Sequence, residues 1–127
     1  NRQIVIENNS IIAEFLGGVI ESIAIINNKE INAWKGDITT QWRKEKQNLS
    51  IGDAILCEHL DFDKSWEWLM PVVEKIGKEL GYRVTIDTSF TRIWRKNNEI
   101  EYRNLTTSLE CTYLAVVEFI KWYNTIK

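Results

Sequence analysis

Hydrophobic positions along the chain switch between short β-branched runs and a three-to-four spacing, and each switch marks a predicted element. Asn9 or Ser10 is placed to cap a short helix carrying Ile11, Ile12, Phe15 and Leu16, stopped by Gly17-Gly18. Val19 to Ile26 reads as a strand, Asn27-Asn28 as a two-residue turn, and Glu30 to Trp34 as the returning strand, because Asn tolerates the positive φ such turns need. The pattern then fails. GDITTQWRKEKQNLSIG is polar and reads as a long loop, of a length that is usually functional or mobile. A third strand is expected from Asp53 to Leu60.

Asp61, Asp63 or Ser65 then caps the clearest helix, which runs to Leu80 and ends at Gly81. Its stripe of Trp66, Leu69, Val73, Ile76 and Leu80 is the expected core face, with Trp68 and Val72 on a flanking ridge. Pro71 inside the run predicts an irregular or kinked first turn and a half. Tyr82 to Asp87 is a further strand, and Phe90 to Lys96 with Glu99 to Leu105 forms a hairpin about Asn97-Asn98. The two Asn-Asn hairpins echo each other faintly. The last helix opens with a Thr107-x-x-Glu110 capping box and continues to about Ile126. Strands and helices are grouped rather than alternating. That order predicts a single α+β domain over residues 1–127, an antiparallel or mixed sheet with two main helices packed on it.

Composition changes this picture in two places. A net charge of −2 offers no global field to draw nucleic acid or an anionic membrane, so any anion site must be local, the basic run Arg43, Lys44 and Lys46 included. Six tryptophans, Trp34, Trp42, Trp66, Trp68, Trp94 and Trp122, exceed what a core of this size needs, and surplus amphipathic rings belong to interfaces and ligand pockets. No apolar run is long enough for a membrane span. The start, Asn1-Arg2-Gln3-Ile4, lacks signal-peptide or transit character and an initiating Met, so it reads as a trimmed start to a cytoplasmic protein. Cys57 and Cys111 read as buried free thiols.

Three constellations could carry chemistry. With Asn97-Asn98 as the turn, Trp94 faces Glu101 and Arg92 faces Arg103. Two arginines opposite one another need an anion, and with Trp94 they offer guanidinium forks for phosphate and an indole for stacking. The competing reading has Glu101 neutralise the pair on a solvated face. The second is Cys57-Glu58-His59-Leu60-Asp61-Phe62-Asp63, whose spacing supports no metal site, although His59 stands beside the tryptophan-rich helix start as a candidate ligand contact. The third is the 107–126 helix, apolar over so much of its circumference that a homo-oligomer through it is expected. No nucleophile elbow, P-loop, dinucleotide fingerprint or metalloprotease motif is present, so no catalytic residue and no cofactor is expected.

The segments Ser65-Trp66-Glu67-Trp68-Leu69-Met70-Pro71-Val72-Val73-Glu74-Lys75-Ile76 and Ala115-Val116-Val117-Glu118-Phe119-Ile120-Lys121-Trp122-Tyr123-Asn124, with Ile11-Ile12-Ala13-Glu14-Phe15-Leu16-Gly17, resemble short uncharacterised proteins of phages and prophages of gut bacteria. More loosely they are similar to the phage ABA-sandwich domain. The resemblance covers about a quarter of the chain and implies a small α/β sandwich of mobile-element origin, with no catalytic residues. The combined expectation is a non-enzymatic binding protein that sequesters a small anionic nucleotide signal in an anti-defence role. Its ligand contacts are drawn from Arg92, Trp94, Arg103, Trp68, His59, Trp42 and Arg43. The alternative is a protein–protein interaction module, docking through Trp42, Trp68 and Trp122.

Overall fold

Gly17 and Gly81 each take a positive φ, +96° and +78°, and each ends a helical segment where an L side chain would be strained. The computed structural model describes residues 2–26, 28–35, 50–51, 54–56, 60–103 and 107–127. Within them the chain is an α+β protein of three helices and seven strands. It divides into two compact units, Asn1–Asp61 and Phe62–Lys127. Trp42, Arg43, Cys57 and His59 lie outside the described residues, as does most of the long polar stretch.

The first unit opens with α1, Arg2–Phe15. It begins well before the expected cap, so neither Asn9 nor Ser10 starts it. Ser10 instead returns its hydroxyl to the Ile6 carbonyl at 2.9 Å, within the helix. Asn9 is buried, and its side-chain amide donates to the Leu60 carbonyl at 2.8 Å, so a polar group in the interior is satisfied. A Schellman end follows. Gly18 N–H reaches the Ala13 carbonyl and Gly17 N–H the Glu14 carbonyl. Strands β1 (Val19–Ile26), β2 (Lys29–Lys35), β3 (Ser50–Ile51) and β4 (Ala54–Leu56) form an antiparallel sheet in the order β1-β2-β4-β3. The first hairpin turns where expected, Ile26 pairing with Lys29 and Asn28 at φ 63°. Of the strand expected over 53–60, β4 covers Ala54–Leu56, and it pairs with β3, which falls in the stretch expected to be a loop.

In the second unit, α2 (Trp66–Glu74) carries Pro71 inside its regular turns. The irregularity comes later than expected, as a π-helical turn at Lys75–Glu79 closed by Leu80 N–H on the Lys75 carbonyl. The buried stripe is also rotated. Trp68, Leu69, Val72, Val73 and Ile76 face the core, with Trp68 1% exposed and edge-on to Phe62 at 5.1 Å. Trp66 is 37% exposed beside an equally exposed Met70, one turn on. As the first helical residue Trp66 has no preceding turn to pack against. The core and flanking roles expected of Trp66 and Trp68 are therefore exchanged.

Strands β5 (Arg83–Ile86), β6 (Phe90–Arg95) and β7 (Asn98–Arg103) form an antiparallel three-stranded sheet in chain order. Helix α3 (Ser108–Ile126) lies against β6 and β7 and touches α2. Its start is fixed by Thr107, whose hydroxyl accepts from Glu110 N–H at 3.0 Å, a cap that stabilises by about 1 kcal/mol. Between sheet and helix, Thr112 donates to the Ser108 carbonyl at 2.8 Å and lies 2.8 Å from the Thr91 hydroxyl. The single Thr112 proton is already used, so Thr91 is the donor to it. Tyr113, Val116, Val117, Phe119 and Ile120 are buried by the chain itself. Trp122 and Tyr123, further along the same apolar helix, are half-buried. Among the described residues no helix is long and apolar enough to cross a membrane.

The second hairpin departs from expectation by one position. Its loop is Lys96-Asn97, with Arg95 opposite Asn98, rather than Asn97-Asn98. Ile93 then meets Ile100, Arg92 meets Glu101 and Phe90 meets Arg103. The turn places Lys96 at φ 54°, a left-handed conformation that costs a non-glycine residue about 1–2 kcal/mol. Opposite-charge and apolar cross-strand pairs contribute about 0.2–1 kcal/mol each, and facing arginines would subtract a similar amount. Several such gains together offset the turn's cost. Strand pairing wins over turn chemistry.

Candidate functional site

Alternation along β6 and β7 sorts the hairpin's side chains onto two faces. Arg92, Trp94, Glu99, Glu101 and Arg103 share the open face with Arg83 and Phe90. Thr91, Ile93, Ile100 and Tyr102 turn toward α3. The register therefore keeps the expected residues on one face but gives them different partners.

On the open face the arginines are largely occupied. Arg103 is held in a bidentate fork by Glu101, Nε to Oε2 and one terminal nitrogen to Oε1, both 2.9 Å, and its guanidinium lies 4.8 Å from the Phe90 ring centre. That hydrogen bond and the neighbouring carboxylate charge raise its pKa further. Arg92 lies 4.6 Å from the centre of the Trp94 ring, and its Nε sits 2.6 Å from Glu99 Oε1. This is a close ion pair without hydrogen-bond alignment, because Arg92 Nε, like Trp94 Nε1, is a buried atom with no hydrogen-bond acceptor. Arg83 covers the same indole at 5.4 Å and has no carboxylate partner among the described residues. The expected confrontation of Arg92 and Arg103 does not occur, and with it goes the demand for a bridging anion. Glutamates supply the negative charge.

At the hairpin's tip, on the α3 side, the second unit has a cavity of about 210 Å³ lined by Tyr82, Ile93, Asn97, Asn98, Glu99, Ile100, Phe119 and Trp122. Local structure explains each wall. Tyr82 follows the π-helical turn, its N–H fixed on the Ile76 carbonyl after the Gly81 reversal. Phe119 and Trp122 are three residues apart on α3 and so share a face. The three rings brace one another edge-on or tilted, Tyr82 to Phe119 at 4.8 Å, Tyr82 to Trp122 at 6.0 Å and Phe119 to Trp122 at 5.9 Å. Tyr123 stacks on Phe119 at 5.7 Å and supports it from the helix. Centroids this close make a continuous aromatic wall beside the cavity rather than a cage around it. Ile93 and Ile100 form the apolar sheet wall.

The polar rim is neutral. Asn97 and Asn98 are exposed on the turn, whereas the Glu99 carboxylate is drawn to Arg92 on the opposite face. Each asparagine amide offers both a donor and an acceptor. Deeper on the helix side, the Tyr102 hydroxyl is pushed up in pKa by burial and then by Glu118, and Tyr113 similarly by burial and then by Asp63. Both phenols stay protonated donors at neutral pH.

Of the expected contacts, the structure unites Arg92 and Trp94 and places Arg103 at the other end of the same face. Trp68 is removed to the core, and Trp122, half-buried, packs on Tyr82 and Phe119. Tyr82, Phe119, Asn97 and Asn98 had been read only as a strand start, a helix face and a turn. Their one sequence signal is the aromatic i, i+3 and i, i+4 set Phe119, Trp122 and Tyr123. Among the described residues no group of three or more His, Cys, Asp or Glu could hold a metal ion. No protein family, curated protein or solved structure matches the chain.

Proposed function

We propose that this chain is a non-enzymatic binding protein whose ligand presents one flat ring to the cavity at the β6–β7 turn. The observation that carries the reading is the composition of that cavity: three mutually braced aromatic rings and two isoleucines below a rim of two neutral amides. Binding sites of this kind gain affinity from apolar walls and orientation from a few polar groups. At about 210 Å³ the cavity falls below the ~300–1,000 Å³ of sites that enclose a drug-sized molecule. It suits a single ring, with the rest of the ligand outside. Nucleobases fit this chemistry, since their faces stack and their edges pair with amide donors and acceptors. If the ligand is a signalling nucleotide, a protein that holds it without turnover acts by sequestration.

The reading is tested by titrating adenine, uracil, nicotinamide and indole into the protein by calorimetry. At least one is expected to bind the wild type and Trp94→Ala, and to lose affinity in Trp122→Ala and in the milder Asn98→Ala. Absence of binding by all four, or loss on Trp94→Ala with Trp122→Ala unaffected, contradicts it.

A second reading, docking of a protein partner, is favoured by the exposed Trp66–Met70 pair on α2 rather than by Trp68 or Trp122. A benzophenone photocrosslinker replacing Met70 should capture a discrete host protein under that reading, and none if the surface is idle.

A further inference from the structure

The positive charges of the β6–β7 hairpin are not treated alike. Arg92 and Arg103, on the open face, have carboxylate partners at 2.6 and 2.9 Å. Arg95 and Lys96, at the tip, have none among the described residues. Arg95 is exposed yet held in place, its guanidinium donating to the Leu80 carbonyl at 3.4 Å and lying 5.6 Å from the centre of the Tyr82 ring, which is itself a wall of the cavity. Lys96 is exposed and immediately precedes Asn97 on the rim. It also occupies a left-handed position, φ 54°. Strand register explains why the turn falls there but not why the residue is lysine, because glycine or asparagine would keep the same register with less strain. A residue held in a costly conformation beside a cavity, with an unpaired charge, is a functional candidate on physical grounds.

We propose that the tip site takes a ring-bearing anion, with the ring in the cavity and a phosphate or carboxylate outside it, between Lys96 and Arg95. This rests on the cavity reading above and adds the charge of the ligand to it. Phosphate and carboxylate share the relevant chemistry, a compact anion able to accept charge-assisted hydrogen bonds from an ammonium and a guanidinium. The arrangement inverts the expectation from sequence, in which Arg92 and Arg103 were to hold the anion.

Two matched probe pairs test it: adenosine against adenosine 5′-monophosphate, and indole against indole-3-acetate, each titrated at low and high salt. For at least one pair the charged member should bind the wild type on the order of five- to tenfold more tightly, with the advantage shrinking as salt rises. Which pair shows it separates phosphate from carboxylate. In Lys96→Gly combined with Arg95→Gln the ratio should fall to about one while the neutral probe keeps its affinity. Lys96→Gly alone should also raise the melting temperature, a combination that loss of fold cannot produce. The proposal is overturned, with the cavity reading intact, if neutral probes bind but the charged members show no advantage, or if the double variant keeps that advantage. Failure of all four probes to bind overturns both.

Discussion

On the open face of the β5-β6-β7 sheet, Arg92 and Arg103 meet Glu99 and Glu101, and an indole lies between two guanidinium groups. At the tip of the same hairpin, Arg95 and Lys96 meet no carboxylate among the described residues, and the indole of Trp122 borders a cavity. Both places combine arginine with tryptophan. At the tip both cations lack a carboxylate among the described residues, whereas on the open face Arg92 and Arg103 are paired and Arg83 is not. Counting residue types cannot separate them, because availability depends on cross-strand partners, and those depend on a single position in the turn. Opposite charges paired across strands help fix a sheet's register; two cations without a carboxylate among the described residues, beside an apolar hollow, are a way to hold something.

The comparison is most severely strained by emptying the wall behind the cavity. Phe119→Ala should cost about 3–5 kcal/mol, read as a lower denaturation midpoint, since the ring is 1% exposed and braces Tyr82, Trp122 and Tyr123. A loss below about 1 kcal/mol would mean that the aromatic wall is not packed as described. Next comes the hydroxyl pair between sheet and helix. Thr112→Val should cost about 1–3 kcal/mol by stranding the buried Thr91 hydroxyl, and the double variant with Thr91→Val should recover part of it. Strict additivity in that double-mutant cycle would argue against the hydrogen bond.

Smaller effects distinguish tip from open face. Lys96→Gly should stabilise by about 1 kcal/mol by relieving the left-handed turn, and a destabilised variant would show the turn lies elsewhere. Glu99→Gln should change stability by less than about 1 kcal/mol, because the pair with Arg92 is 39% and 45% exposed, and the difference should fade with salt. The helix side also predicts a pH response. The folded-state pKa values of Tyr102 and Tyr113 lie above the ordinary 10.0, so the folded protein retains protons that the unfolded chain releases. Their contribution is complete below pH 10.0 and is lost as pH rises above it. Tyr113→Phe should flatten that fall, and an unchanged alkaline profile would count against the burial of this phenol.

Much of the second unit was legible in the sequence. The Thr107 cap, the Gly81 stop and the three strands follow from local chemistry acting within a few residues. Trp66 and Trp68 were not, because a helical stripe read from spacing alone can be rotated by a residue or two, and only the packed neighbours choose. Helix α1 hid its start, since Ile4-Val5-Ile6 is β-branched and reads as poorly helical on spacing and propensity alone. The cavity was invisible for a different reason. Its rings come from residues 82, 119 and 122, and only the docking of α3 on the hairpin brings them together. Asn97-Asn98 advertised a turn, and the non-local pairing of Arg92, Ile93 and Phe90 with residues on β7 moved it.

The most direct test of the claim that the tip, and not the arginine face, is the seat of binding is a nitrogen–proton correlation spectrum recorded during titration with adenosine 5′-monophosphate. Saturable shifts should appear at the Asn97 and Asn98 side-chain amides and the Trp122 indole N–H, while Trp94 Nε1 and Arg92 Nε stay still. Shifts concentrated at Trp94 and Arg92, with the asparagine amides unmoved, would contradict it.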